Sequence, residues 1–146
     1  AQLPAGPDVV ITAILECEGK ILLRDDGRGG LTLPTARVGR EGVQNALARL
    51  IAETGLPATA GEIYAVYDDV TQGKQHIAFR CPAKPGTPAQ GAFVDLTPEG
   101  VADVTDPAML TMLERLAAEA RMGNYGLYFG THEQGRVQRI GERKDP

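Results

Sequence analysis

The segment Leu33–Leu56, LPTARVGREGVQNALARLIAETGL, constrains the fold more than any other part of this chain. It opens on a short apolar strand end, Leu31 and Leu33, which Pro34 terminates. A loop of small and charged residues follows. From Val43 the pattern changes to helical spacing. Val43, Leu47, Leu50, Ile51 and Thr54 fall on one face, which predicts an amphipathic helix over 43–54. Gly55 suits the position after a helix, and Pro57 stands where a helix does not continue. A strand, a loop and a capped helix therefore follow one another within 24 residues.

The flanking sequence reads as more strands and one further helix. Val9–Leu15 is a β-branched apolar run, Glu16-Cys17-Glu18-Gly19 supplies a turn, and Lys20–Arg24 returns as a second strand. The glycines of Asp25–Gly30 make a flexible turn, without the strand–loop–helix context of a phosphate loop. Glu62–Tyr67 and Gln75–Cys81 form a second strand pair around Asp68–Lys74. The stretch 82–91, rich in Pro and Gly, is a surface loop, and Ala92–Leu96 is another strand. A second amphipathic helix over Asp106–Met122 has Asp106 as N-cap and Pro107 at its first position, with Met109, Leu110, Leu113, Leu116 and Ala117 inward. Beyond it, residues 123–140 read as a hairpin turning near 132–135. An isolated hairpin is marginal in water, so it needs a host surface, either its own domain or a partner subunit. Two units are expected: a domain over 1–122 and an extension over 123–146.

The order and the residues of 33–56 resemble the Nudix family, enzymes that cleave a nucleoside diphosphate linked to another moiety. The family pattern is Gly, five residues, Glu, seven residues, then Arg-Glu-apolar-x-Glu-Glu-x-Gly-apolar. Aligned from its C-terminal end, this chain keeps Leu50, Glu53, Gly55 and Leu56. Ala48 replaces the Arg, Arg49 and Ala52 replace two of the Glu residues, and Arg40 falls at the earlier Glu. Thr35 and Ala36 stand for the usual Gly-Gly after Leu-Pro, and the loop is two residues shorter. Asp95-Leu96-Thr97-Pro98-Glu99 also resembles the family's segment before the last helix. The resemblance covers about residues 9–120. It implies an α/β/α sandwich with a mixed β-sheet, here with a C-terminal hairpin added.

Pyrophosphate cleavage by the family uses Mg²⁺ or Mn²⁺ to bridge phosphate oxygens and activate water, and such ions need several carboxylate oxygens. Positions 49, 52 and 53 share one face of a helix. Here they are Arg49, Ala52 and Glu53, so one carboxylate of three remains and a permanent cation joins it. Arg49 and Glu53 lie four apart and are expected to pair. Glu41, just before the helix, lies close to the lost first Glu. Asp25, Asp26, Asp68, Asp69, Asp95 and Glu99 are further acids in loops and strand ends.

Three functions are consistent with these residues. In the first, the box is degraded and Arg49, joined by Arg37 and Arg40, binds a nucleotide-like or phosphorylated ligand by bidentate contacts, with weak or no hydrolysis and no cofactor. In the second, Glu53 and Glu41 are catalytic, Glu53 ligates Mg or Mn, and the chain is an atypical Nudix hydrolase. In the third, the fold is a structural or interaction module. The bland readings stand beside these: solvated arginines and acids, a half-buried structural His76, and His132 without a metal-ligand partner in sequence.

Composition narrows the partners. A formal net charge of -4 and the absence of Trp argue against a nucleic-acid binder. No apolar run reaches about 18 residues, so no transmembrane helix or membrane partner is expected. AQLPAGPD carries neither the basic region nor the apolar core of a secretion signal. The first residue is not Met, which reads as a processed or cut end. Cys17 and Cys81 lie in apolar segments and read as buried free thiols, which suits the reducing cytoplasm. A small phosphorylated ligand is the expected partner, with a homodimer through the tail as a further expectation.

Overall fold

A computed structural model describes residues 8–133 and 136–139. Of Glu133 and of residues 136–139 it describes the backbone. One mixed sheet carries two helices. The chain runs β1 (Asp8–Cys17), β2 (Lys20–Asp25), β3 (Leu31–Thr32), β4 (Thr35–Arg37), α1 (Gly42–Glu53), β5 (Ile63–Asp69), β6 (Lys74–Pro82), β7 (Ala92–Asp95), α2 (Pro107–Met122), β8 (Tyr128–Glu133) and β9 (Arg136–Arg139). The sheet order is β3-β2-β1-β6-β5-β8-β9, with β4 also on β1 and β7 on β2.

β1 organises the sheet. On one side it pairs in parallel with β6 over nine residues, from Asp8 with Lys74 to Glu16 with Pro82. Its other edge is divided. The end at Glu16–Cys17 takes β2, and the start at Val10–Thr12 takes β4. Both faces of β1 are covered, which is why Val10–Leu15 is continuously buried rather than alternating. Ile14 faces the core beneath α2, with Tyr67, Ala78, Met112, Leu113 and Leu116. Ile11, Ala13 and Leu15 face the core beneath α1, with Leu47, Leu50, Phe79 and Cys81.

The helices follow their sequence signals closely. α1 buries Ala46, Leu47, Leu50 and Ile51, and Thr54 beyond it is also buried, while Val43 is only half-buried. In α2 the Asp106 carboxylate accepts from the Ala108 N–H, Pro107 begins the helix, and Gly123 ends it at φ 69°. Glycine adopts that left-handed conformation without the Cβ penalty.

Sequence and structure part at β4 and at Cys17, and the structure adds the placing of β8. Thr35–Arg37 is a strand, because the open half of the β1 edge supplies hydrogen-bond partners that no local pattern encodes. Cys17 is half-buried at the end of β1, whereas Cys81 is buried; both are free thiols. β8 adds to the sheet by parallel pairing with β5, Ala65 with Tyr128 through Asp69 with His132, and β9 pairs antiparallel with β8. The turn expected near 132–135 falls partly on 134–135, outside the described residues. Among the described residues no helix is long and apolar enough to cross a membrane.

Candidate functional site

The loop 38–41 and the first turns of α1 border an open cleft of about 480 Å³, lined by Arg37, Val38, Gly39, Arg40, Glu41 and Arg49. Local structure explains the gathering. Arg37 ends β4, whose neighbour Val38 is held to β1 by its N–H bond to the Val9 carbonyl at 2.9 Å. The chain then reverses into α1 through Gly42 at φ 84°, a conformation that side-chain-bearing residues avoid. The Asn45 side chain donates to the Glu41 carbonyl at 2.9 Å, fixing the loop against the helix. No side chain caps the start of α1, and its first turn carries no acid.

Arg49 is the centre of the site. Its Nη2 donates to Glu41 Oε1 at 2.6 Å, its Nε to the same oxygen at 3.2 Å, and its Nη1 to Glu53 Oε1 at 3.3 Å. The hydrogen bond to Glu41, then the charges of both carboxylates, hold the guanidinium above its ordinary pKa. Arg37 pairs with Asp8 at 2.9 Å. Arg40 is exposed and has no ion pair among the described residues. Ala52 presents a methyl group to solvent beside Glu53.

Arg37, Arg40, Glu41 and Arg49 thus surround one cleft. Glu53 stands one helical turn along and meets it through Arg49. The cleft also uses Val38 and Gly39, whose backbone gives no chemical signal in the sequence. The other candidate acids lie elsewhere. Asp95 pairs with Lys20 at 3.8 Å, Asp68 accepts from Gln75, and Asp26 accepts from the Thr105 hydroxyl across the molecule. Among the described residues no group of three or more His, Cys, Asp or Glu side chains is arranged to hold a metal ion.

No family model matches the chain. Two curated proteins resemble it in sequence. One is the reductase component of a flavin-dependent trigonelline monooxygenase from Acinetobacter baylyi, 37% identical over 132 residues, covering 90% of this chain and 43% of that protein. The other is a probable flavin reductase from Rhizobium meliloti, 32% identical over 137 residues, covering 93% and 43%. The chain therefore spans less than half the length of the curated relatives it matches. Among solved structures, a Nudix hydrolase from Nitrosomonas europaea superposes with a TM-score of 0.77 at 20% identity, over 89% of this chain and 81% of that one. A putative oxidoreductase from Sinorhizobium meliloti superposes at 0.70 with 31% identity, over 82% and 42%. The architecture is accordingly the Nudix fold, an α/β/α arrangement around a mixed sheet, carried by a chain whose sequence resembles part of proteins named as flavin reductases.

Proposed function

We propose that this chain is a Nudix-fold module that binds a phosphorylated ligand in the arginine cleft, without metal-dependent hydrolysis, in support of flavin reduction. The observation that carries the reading is the place of Arg49. It occupies a position where the family has a carboxylate, and it engages both nearby acids, Glu41 and Glu53. A hard divalent cation needs several free carboxylate oxygens. Here position 49 is a guanidinium, position 52 a methyl group, and the two remaining carboxylates already face a cation. This donor set does not fit Mg²⁺ or Mn²⁺, and no step through a metal follows from it.

The same set suits an anion. Guanidinium groups match phosphate oxygens in bidentate fashion. Three arginines and a helix start without a side-chain cap converge on one cleft. The pairs that now hold Arg37 and Arg49 are exposed, and such pairs exchange readily for a stronger acceptor. Because the relatives are named for flavin chemistry, flavin mononucleotide and flavin adenine dinucleotide lead the ligand panel, followed by ADP and ADP-ribose.

The test is calorimetric titration with that panel, with Mg²⁺ and then with a chelator. Binding that survives chelation and yields no product supports the reading. Metal-dependent release of product, abolished by Glu53→Gln, would replace it with an atypical hydrolase.

A further inference from the structure

α1 covers only part of its side of the sheet. It lies against β1 and β4, and its core takes in Phe79 and Cys81 of β6. On the same side, β5 and β8 extend beyond it. The register fixes which residues stand there. Ile63 on β5 is opposite Phe79 on β6, and Val66 is opposite Ile77. Across the other edge of β5, Val66 is the partner of Phe129 on β8. Register partners share a face. Ile77, Val66 and Phe129 therefore form one row across three strands, with Ile63 further along the same face. Ile63 is 49% and Phe129 40% exposed, while Val66 and Ile77 are half-buried.

This face is chemically unlike one that meets water. A solvated sheet face ordinarily carries polar residues, and parallel strands are ordinarily covered on both sides. The parallel pair of β1 with β6 has a core on each side. The parallel pair of β5 with β8 has a core on the α2 side, through Tyr67 and Tyr128. On its other side it presents the apolar row.

The rim of the row and the size of the relatives select the occupant. Glu62 and Asp68, both exposed, flank the stretch of β5 that carries Ile63 and Val66. An apolar centre with an acidic rim suits a partner whose own rim is basic. A second copy fits less well, because two-fold pairing through this face brings like rims together. The two curated relatives and the Sinorhizobium oxidoreductase are each more than twice as long as the part this chain matches. The matched part therefore shares its chain with a larger body, and tethering lets a modest apolar face hold such a body in place.

We infer that the row of Ile77, Val66 and Phe129, with Ile63, is the seat of a flavin-reductase domain whose docking face is apolar at its centre and basic at its rim. This assignment rests on the role in flavin reduction proposed above, and not on the arginine cleft.

The probe is the part of the Acinetobacter baylyi reductase component that this chain does not match, produced separately with flavin bound. Interferometry measures its affinity for the whole chain, and sedimentation measures the mass of the chain alone. The parent chain is expected to be a monomer that binds the probe, less tightly as salt rises. Ile63→Ser combined with Phe129→Ser should weaken binding at least tenfold. Glu62→Lys combined with Asp68→Lys changes exposed positions, where folding is little affected; it should slow association and remove the salt dependence. Thermal melts that match the parent's separate a lost contact from a lost fold. Unchanged affinity in both double variants would overturn the choice of surface while leaving the role in flavin reduction standing. A probe that does not bind the parent chain would overturn both. Self-association of the parent that Phe129→Ser abolishes would give the face to a second copy and overturn the assignment.

Discussion

Glu119→Ala should loosen the joint between α2 and the far half of the sheet. Glu119 accepts from the Tyr64 hydroxyl on β5 at 2.9 Å, from Arg115 Nε on its own helix at 3.3 Å, and from the Gly126 N–H before β8 at 3.2 Å. The Arg115 and Glu119 side chains are 10% and 13% exposed, and Tyr64 is 2% exposed. Removing the carboxylate takes one acceptor from three groups at once. A buried donor that loses its acceptor costs about 1–3 kcal/mol, and Tyr64 and Arg115 each keep another interaction. Water can reach Gly126, which limits the total to about 3 kcal/mol. For a chain of this size that corresponds to a fall in Tm of roughly 10 °C. Urea denaturation followed by far-ultraviolet circular dichroism measures the loss. Glu119→Gln retains an oxygen for Tyr64 or Gly126 and should lose about half as much. Hydrogen exchange at the β8 amides should quicken in Glu119→Ala before it changes in β1. A loss below about 0.5 kcal/mol, or uniform exchange across the sheet, would refute the idea that this carboxylate fastens β8.

Four further outcomes are expected. Arg49→Gln should lower affinity for phosphorylated ligands at least tenfold while leaving the melting temperature nearly unchanged; titration and a thermal melt read the two effects separately. Replacing both Arg49 and Ala52 by Glu would place three acids at i, i+3 and i+4 with Glu53 and should raise Mn²⁺ affinity measurably above that of the parent chain. Lowering pH should destabilise the fold, because the buried imidazoles of His76 and His132 take up protons less readily folded than unfolded. Their contribution is complete above the ordinary value near 6.5 and is lost as pH falls through the depressed folded values; His76→Met should flatten the Tm profile in that range. Gly61→Ala would drive a Cβ into the Arg80 carbonyl oxygen, a backbone clash expected to cost about 1–3 kcal/mol by denaturation.

What could be read from sequence was whatever repeats locally. Asp106, Pro107 and Gly123 mark the ends of α2 by chemistry that acts within a few residues. The Leu47, Leu50 and Ile51 spacing gives the buried face of α1, and the same period puts Arg49 next to Glu53. The cleft around Arg49 was legible for that reason, since its residues come from one loop and the helix that follows it. By contrast, β4 has three residues and no period of its own, and it is a strand only because β1 offers it an edge. The surroundings of His132 were invisible. His132 looked solitary because its neighbours Asp69 and Tyr67 come from β5, and that juxtaposition exists only through the parallel β5–β8 register. The link to flavin reductases was likewise not in any motif; it came from the relatives alone.

The central pairing of β1 with β6 also sets a schedule. Each of its residue pairs is separated by 66 positions. During synthesis the apolar segment Val9–Leu15 leaves the ribosome long before the strand that will cover its inner edge. Until β6 arrives, the described elements that can shelter it are the β2 hairpin and β4 with α1. A segment so rich in β-branched residues and free of charge is prone to pair with other nascent chains. Closure of α1 over Ile11, Ala13 and Leu15 before β6 arrives would shelter this segment, and substitutions that weaken α1 should reduce soluble yield in cells more than they reduce equilibrium stability.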